Sequence, residues 1–295
     1  MIRLSRKMKN NLTAWGLMLP ALSFILLFTV FPIIRSIYLS VMDFRFGMAE
    51  PRFIGLGNYV RLFHSDLFWK VMGNTLFFAL ITLVPALLIG LGLALIVNKK
   101  SKITGTLRTI YFYPVILPMV AAASIWMFIY MANNGLWDQI ARFIHMGPTD
   151  VLSRQESVLP ALAVMYVWKE AGYVMIFFLS GLQSISPDIL ESARLDGATG
   201  WKLFRHILFP LLGPTFLFIS TVELTNVFKL VDHIIIMTEG APNNASTMLL
   251  YYIYQTGFTH FDYGLSSALT VILLVMLLVV ALPRFIAQDK KTYYN

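Results

Sequence analysis

The sequence contains no cysteine, so neither a disulfide framework nor a Cys-ligated zinc site can be built from it. Charge is also scarce. Asp, Glu, Lys and Arg make up 13% of the 295 residues, against about 25% in an ordinary soluble domain. No phosphate cradle of the form G-x-x-x-x-G-K-[ST] occurs, which excludes that route to nucleotide binding within this chain. The five histidines never fall in an H-E-x-x-H spacing, so no metal site is expected. No nucleophile–base set stands at the end of an apolar run. What the sequence has in excess is hydrophobic residues, 58% of the total. A soluble core of this size could not hide them, so the surplus is expected to face lipid.

That surplus is arranged in long runs. "LLIGLGLALIV" and "VILLVMLLVVAL" lack the in–out alternation of a barrel wall. The pattern predicts an all-α integral membrane protein with six transmembrane helices, at about 14–38, 71–98, 109–131, 157–183, 209–237 and 263–285. Each is near or above the roughly 20 residues that cross the hydrocarbon core. Together they form one membrane domain, 14–288, between tails 1–13 and 289–295. The first run follows a basic start, "MIRLSRKMK", but is too long for a signal peptide and lacks a small-residue cleavage site, so it reads as a retained span. The net charge of +8 matters less than its placement. The two ends of the chain (1–13 and 284–295) and the loops 98–108 and 187–206 hold 14 Lys and Arg, and the other three loops hold 6. By the positive-inside rule both termini are cytoplasmic, and no nucleic-acid partner is needed to explain the charge.

One cytoplasmic loop differs from the rest. "SPDILESARLDGATGWKLFRHILFP", residues 186–210, carries Asp188, Glu191, Arg194, Asp196, Lys202, Arg205 and His206. Ser186 can cap a helix that opens on Pro187, with Asp188 and Glu191 in a first turn that favours acid. Gly197 offers a bend. Trp201, Phe204 and Leu208 then share one face of a second helix, opposite Lys202, Arg205 and His206, and Pro210 marks re-entry into the membrane. On spacing alone, an interfacial linker and a docking knob for a cytoplasmic partner fit equally.

The segment resembles the EAA loop of the inner-membrane subunits of binding-protein-dependent ABC importers. That pattern is Glu-Ala-Ala, three residues, Gly, nine residues, Ile-x-Leu-Pro. Here Glu191, Ala193, Gly197, Ile207 and Pro210 match it, and Asp196 and Ala198 complete a "DGA". Ser192 and Phe209 depart from it while keeping size or apolarity in range. "FIGLGNYVRLF", "NTLFFAL" and "YFYPVILPMVAAASIWMFIY" are also similar to the carbohydrate-importing, maltose and glycerol-3-phosphate permease-like branch. The resemblance implies the ABC type I importer permease fold. It implies a coupling helix formed by 187–208 and seated on a separate ATPase, with Glu191, Ser192, Ala193, Asp196, Gly197, Ala198, Ile207 and Pro210 as coupling residues. It further implies a second homologous permease subunit, two ATP-binding cassette subunits that use ATP and magnesium, and an extracytoplasmic solute-binding protein. This chain itself would need no cofactor. Its place would be the bacterial or archaeal inner membrane, as a multi-pass protein.

Ionisable residues inside spans usually face a cavity or a partner. Lys169 and Glu170 interrupt the fourth run, and their 100° offset on a helix predicts different partners for the two. Glu223, Asn226, Lys229 and His233 recur at three, three and four residues, one helical face if the fifth run is one helix. Glu170, Tyr173, Glu223 and Asn226 are therefore the candidate substrate path, which in maltose-type relatives lies on the helices flanking the loop. The alternative is that Lys169 and Glu170 only pair between helices. Glu170 and Glu223 favour a neutral sugar or polyol, while Lys169 and Lys229 leave a glycerol phosphate ester open. The glycines of "IGLGLAL" read as helix-packing positions. The tryptophans and tyrosines Trp126, Tyr130, Trp137, Tyr251 and Tyr252 read as packing or interface aromatics, and "MANNGLWDQIARFI" as a span end with a short amphipathic helix. "TEGAPNNAS" is either docking ground for the binding protein or ordinary turn chemistry. A secondary transporter or an integral-membrane enzyme remains possible on composition, but neither gives the 186–210 segment a role.

Overall fold

The computed structural model describes residues 6–99, 101–145 and 150–291, with side chains over 14–99, 101–145 and 150–282. The outermost parts of both expected tails, 1–5 and 292–295, lie outside the described residues. The chain divides into two compact units.

The first unit comprises Met1–His64 and Ile253–Ile272. In it α1 (Arg6–Ile25) and α2 (Phe31–Ser40) run on through a π-helical turn at Leu26–Val30. The stretch Ala14–Ser40 is long and apolar enough to cross a membrane. Its side chains are exposed almost throughout, as suits a helix whose solvent is lipid. β1 (Met42–Asp43) and β2 (Arg52–Phe53) then pair antiparallel, with Met42 opposite Phe53. α3 (Gly57–Phe63) places Asn58 beneath them. Its Nδ2 donates to the carbonyls of Ser40 (2.9 Å) and Met42 (2.8 Å), satisfying acceptors left open past the end of α2.

The second unit, Ser65–Tyr252 with Leu273–Asn295, is built on two long helices. α4 (Asp66–Val97) starts where the Ser65 hydroxyl accepts the Phe68 N–H at 3.4 Å. That is earlier than the expected residue 71, because the capped first turn lies outside the apolar run. α5 (Thr104–Ile116) and α6 (Met119–Tyr130) replace the expected straight span 109–131 and meet at 98°. The cause is local: Leu117 precedes Pro118 and is held extended, with ψ 133°. After α7 (Leu136–Phe143) comes α8 (Val158–Gln183), in agreement with the expected 157–183. α9 (Pro187–Leu195), α10 (Gly200–Leu203) and α11 (Phe209–Leu211) lead into α12 (Gly213–Phe228).

The expected span 209–237 is not one helix. α12 ends at Phe228, with Lys229 exposed where a cation suits the C-terminal carbonyls. α13 (Asp232–Met237) is a separate short helix. α14 (Leu249–Tyr254) and α15 (Tyr263–Lys291) complete the chain. Among the described residues, four helices are long and apolar enough to cross a membrane. The count rises to six if each bent pair, α5–α6 and the 200–211 arm with α12, is one span.

Ala86, Leu87 and Leu91 of α4 join Val174, Met175 and Phe178 of α8 in one apolar core cluster. Small residues set the approach. A Cβ on Gly90 would collide with Val174, and one on Gly172 would collide with the Tyr111 carbonyl of α5. Such contacts bring helix backbones together where lipid offers no hydrophobic drive. Gly92 meets nothing within 4 Å, so the expected packing role of "IGLGLAL" holds for Gly90 alone.

Candidate functional site

Two features lie on consecutive elements of the second unit. The first is the bent segment after α8. Ser186 opens α9 with its hydroxyl accepting the Asp188 N–H at 3.3 Å. α9 closes in a Schellman arrangement: the Ala198 N–H donates to the Ala193 carbonyl at 2.9 Å and the Gly197 N–H to that of Arg194 at 3.0 Å. This requires left-handed backbone at residue 197, where φ is +82° and the residue is glycine. Gly200, φ +52°, turns the chain again. From there α10, a π-helical turn at Phe204–Leu208 and α11 form one arm that meets α12 at 66°. Pro210 thus lies within this arm, two residues before the bend at Leu212, rather than at the entry to a span.

Of the expected coupling residues, Glu191, Ser192, Asp196, Gly197 and Pro210 are exposed, and Ala198 and Ile207 are half-buried. Ala193 is buried. Leu195 and Trp201, 89% and 68% exposed, add apolar surface to the elbow. The helical pattern signalled Trp201 but not Leu195.

The second feature is a polar cluster on the two helices that flank this elbow. Glu223 of α12 is fully buried. Its Oε2 accepts from the Tyr166 hydroxyl of α8 at 3.1 Å, and its Oε1 has no hydrogen-bond partner among the described residues. Lys169 is buried and pairs with Glu170 at 3.5 Å, while its Nζ donates to the Val115 carbonyl at 3.2 Å. The expected separation of Lys169 and Glu170 is therefore corrected: the two long side chains bend toward each other despite their offset. A pair so placed neutralises itself, which lowers the desolvation cost of each charge.

Tyr173 is half-buried, with its ring edge-on to Phe177 at 4.8 Å, and Phe177 lies 5.5 Å from Phe218 of α12. Phe177 and Phe218 line a cavity of about 310 Å³ with Ser180, Ser184 and Thr215. Aromatic faces beside hydroxyls can bind polyhydroxyl groups; Tyr173, Glu170 and Glu223 are not among the residues that line this cavity. Phe177, Phe218 and Thr215 were missed from sequence because each sits in an unbroken apolar run.

Asn226 is exposed one turn beyond Glu223. The expected single face through Lys229 and His233 does not exist, since α12 ends at Phe228, before both of them. His233 belongs to α13, is fully buried, stacks on Phe78 of α4 at 5.6 Å, and has no hydrogen-bond partner at either ring nitrogen among the described residues. Trp126 packs on Tyr130 (5.2 Å) and Trp168 (5.6 Å), as expected of packing aromatics. The 238–246 loop is pinned to α4. Lys70 Nζ donates to the Asn243 carbonyl (2.6 Å) and Asn74 Nδ2 to that of Asn244 (2.9 Å).

Residues 86–289, which include the elbow and both flanking helices, match the family described as binding-protein-dependent transport system inner membrane component. The chain belongs to this family. Among individual members, the "Probable starch degradation products transport system permease protein AmyD" of Thermoanaerobacterium thermosulfurigenes is 30% identical, covering 99% of each chain. The "Trehalose/maltose transport system permease protein MalF" of Thermococcus litoralis is also 30% identical, over 92% of this chain and 95% of that one. A crystal structure of a bacterial alginate ABC transporter, in complex with an alginate-pentasaccharide-bound periplasmic protein, is similar at 25% identity. Its TM-score is 0.84, with 96% of each chain covered. This permease is thus a mostly helical, multi-pass membrane protein with the ABC type I importer fold.

Proposed function

We propose that this permease carries a neutral sugar or related polyhydroxyl solute into the cell, driven by a separate ATPase that seats on the 187–208 elbow. The observation that carries the reading is one of connection. The elbow joins α8 to α12, and those two helices hold Glu170, Tyr173 and Glu223. A push on the elbow therefore moves the helices of the polar cluster directly. Glu191, Ser192, Asp196 and Gly197 form its exposed tip, with the half-buried Ala198 beside them, while Ala193, Ile207 and Pro210 fix its shape. The sugar transport named for the starch-product, trehalose/maltose and alginate systems supports the substrate class. The self-neutralised Lys169–Glu170 pair and the buried Glu223 favour a neutral ligand over a phosphate ester.

In this reading each bent pair is one span, giving six, with both termini cytoplasmic and residues 14–288 as the transmembrane domain. A second homologous permease subunit completes the solute path, and two ATP-binding cassette subunits bind ATP and magnesium. An extracytoplasmic solute-binding protein delivers the sugar. The chain is a transport subunit and performs no catalysis of its own.

The test is uptake into proteoliposomes holding the whole assembly. Neutral oligosaccharide bound to the receptor should accumulate only with internal ATP, and glycerol phosphate should not. Accumulation without ATP, or of the phosphate ester alone, contradicts the proposal.

A further inference from the structure

The buried Lys169 of α8 joins two features that lie on different helices. Its Nζ donates to the Val115 carbonyl at 3.2 Å and lies 3.5 Å from the Glu170 carboxylate. Val115 stands at the end of α5, just before the 98° bend into α6. In a continuous helix its carbonyl would accept the N–H of residue 119. Leu117 and Pro118 are both extended, with ψ 133° and 143°, which takes that donor away. A lysine suits the vacancy, because the last carbonyls of a helix carry the negative end of its dipole.

The same stretch of α8 grips both arms of the bend. Gly172, on the face of α8 that carries Lys169, lets the Tyr111 carbonyl of α5 stand where a Cβ would otherwise be. Trp168 packs on Trp126 of α6 at 5.6 Å. All these residues belong to one compact unit of the chain, so their contacts do not depend on what covers its outer faces. Among the described residues Lys169 is the one cation paired with Glu170. Without it the Val115 carbonyl would lose its donor, and the carboxylate of Glu170 would have nothing to fix its direction.

We propose that Lys169 is a positioning residue: anchored on the open carbonyl of the α5–α6 bend, it aims Glu170 at the solute, so that the shape of the bend and the affinity for solute depend on each other. The aiming rests on the sugar-transport reading; the anchoring does not. The test uses the whole assembly without receptor. It reads the binding of maltose, trehalose and maltotriose by equilibrium dialysis, and the bend by hydrogen exchange at residues 117–122. Lys169→Met should weaken binding of the sugar that wild type holds about tenfold and speed exchange at the bend. Lys169→Arg keeps the charge and the donors and should restore both. Pro118→Ala frees Leu117 to turn helical, gives Val115 a backbone donor again, and should weaken binding as well. Neither Lys169→Met nor Pro118→Ala should weaken it further in a Glu170→Gln background. Unchanged exchange in Lys169→Met overturns the anchoring. Faster exchange with unchanged affinity makes Lys169 a structural tie and overturns the aiming, as do losses that add to that of Glu170→Gln. A wild type that neither binds nor accumulates any of the three sugars defeats the sugar-transport reading and the aiming with it, while exchange still decides the anchoring. Should Lys169→Met not assemble, Pro118→Ala with and without Glu170→Gln decides, and additive losses there are equally fatal.

Discussion

Gly172 and Gly197 are the same residue with opposite tasks. Gly172 sits where α8 crosses α5, and any side chain there meets the Tyr111 carbonyl. Gly197 has nothing within 4 Å of where a Cβ would be, yet its φ of +82° excludes most residues. In the packed spine, glycine removes volume. In the elbow it supplies a backbone shape on an exposed surface. Changes in the spine should therefore act first on stability, and changes in the elbow on coupling.

Gly172→Leu is the strongest way to break that contrast. Overpacking against backbone should cost about 3 kcal/mol, read as a large fall in Tm of the purified protein, while Gly92→Leu in open space leaves Tm unchanged. Gly197→Val should cost about 2 kcal/mol from forced left-handed backbone, and the assembly should still form. Solute uptake should nevertheless collapse while ATP hydrolysis continues. Retained uptake would show that elbow shape is irrelevant to transport.

The elbow was legible because its determinants are local: a capping Ser186, Pro187, Gly197 and a fixed-offset motif. The fourth span was legible from its length of apolar run. The bends were written in Leu117-Pro118 and Gly213-Pro214, signals masked by the unbroken hydropathy around them. The polar cluster was half legible. Glu170 and Glu223 stand out as acids in apolar runs. Their partners Lys169 and Tyr166 depend on how α8 and α12 pack, and the end of α12 at Phe228 removed Lys229 and His233 from the supposed face. His233 could not have been placed, because its burial depends on α4 and α6 closing over a six-residue helix.

Two smaller effects sharpen the comparison. Tyr166→Phe strips Glu223 of its one donor and should cost about 1–2 kcal/mol, seen as a lower Tm. Glu223→Gln keeps an acceptor for Tyr166 and should hold Tm while changing the KM for solute. Ser186→Ala removes the cap of α9 at a cost of about 1 kcal/mol. It should speed hydrogen exchange at residues 187–190 and reduce uptake only slightly.

The natural lack of cysteine gives a clean background for the decisive measurement. Asp196→Cys, placed on the exposed tip, should form a disulfide with a single cysteine introduced in the ATP-hydrolysing subunit, in a yield that changes when ATP is added. It should also resist membrane-impermeant thiol reagents applied to the outside of intact cells. Labelling from outside, with no crosslink to the ATPase at any nucleotide state, would contradict the account.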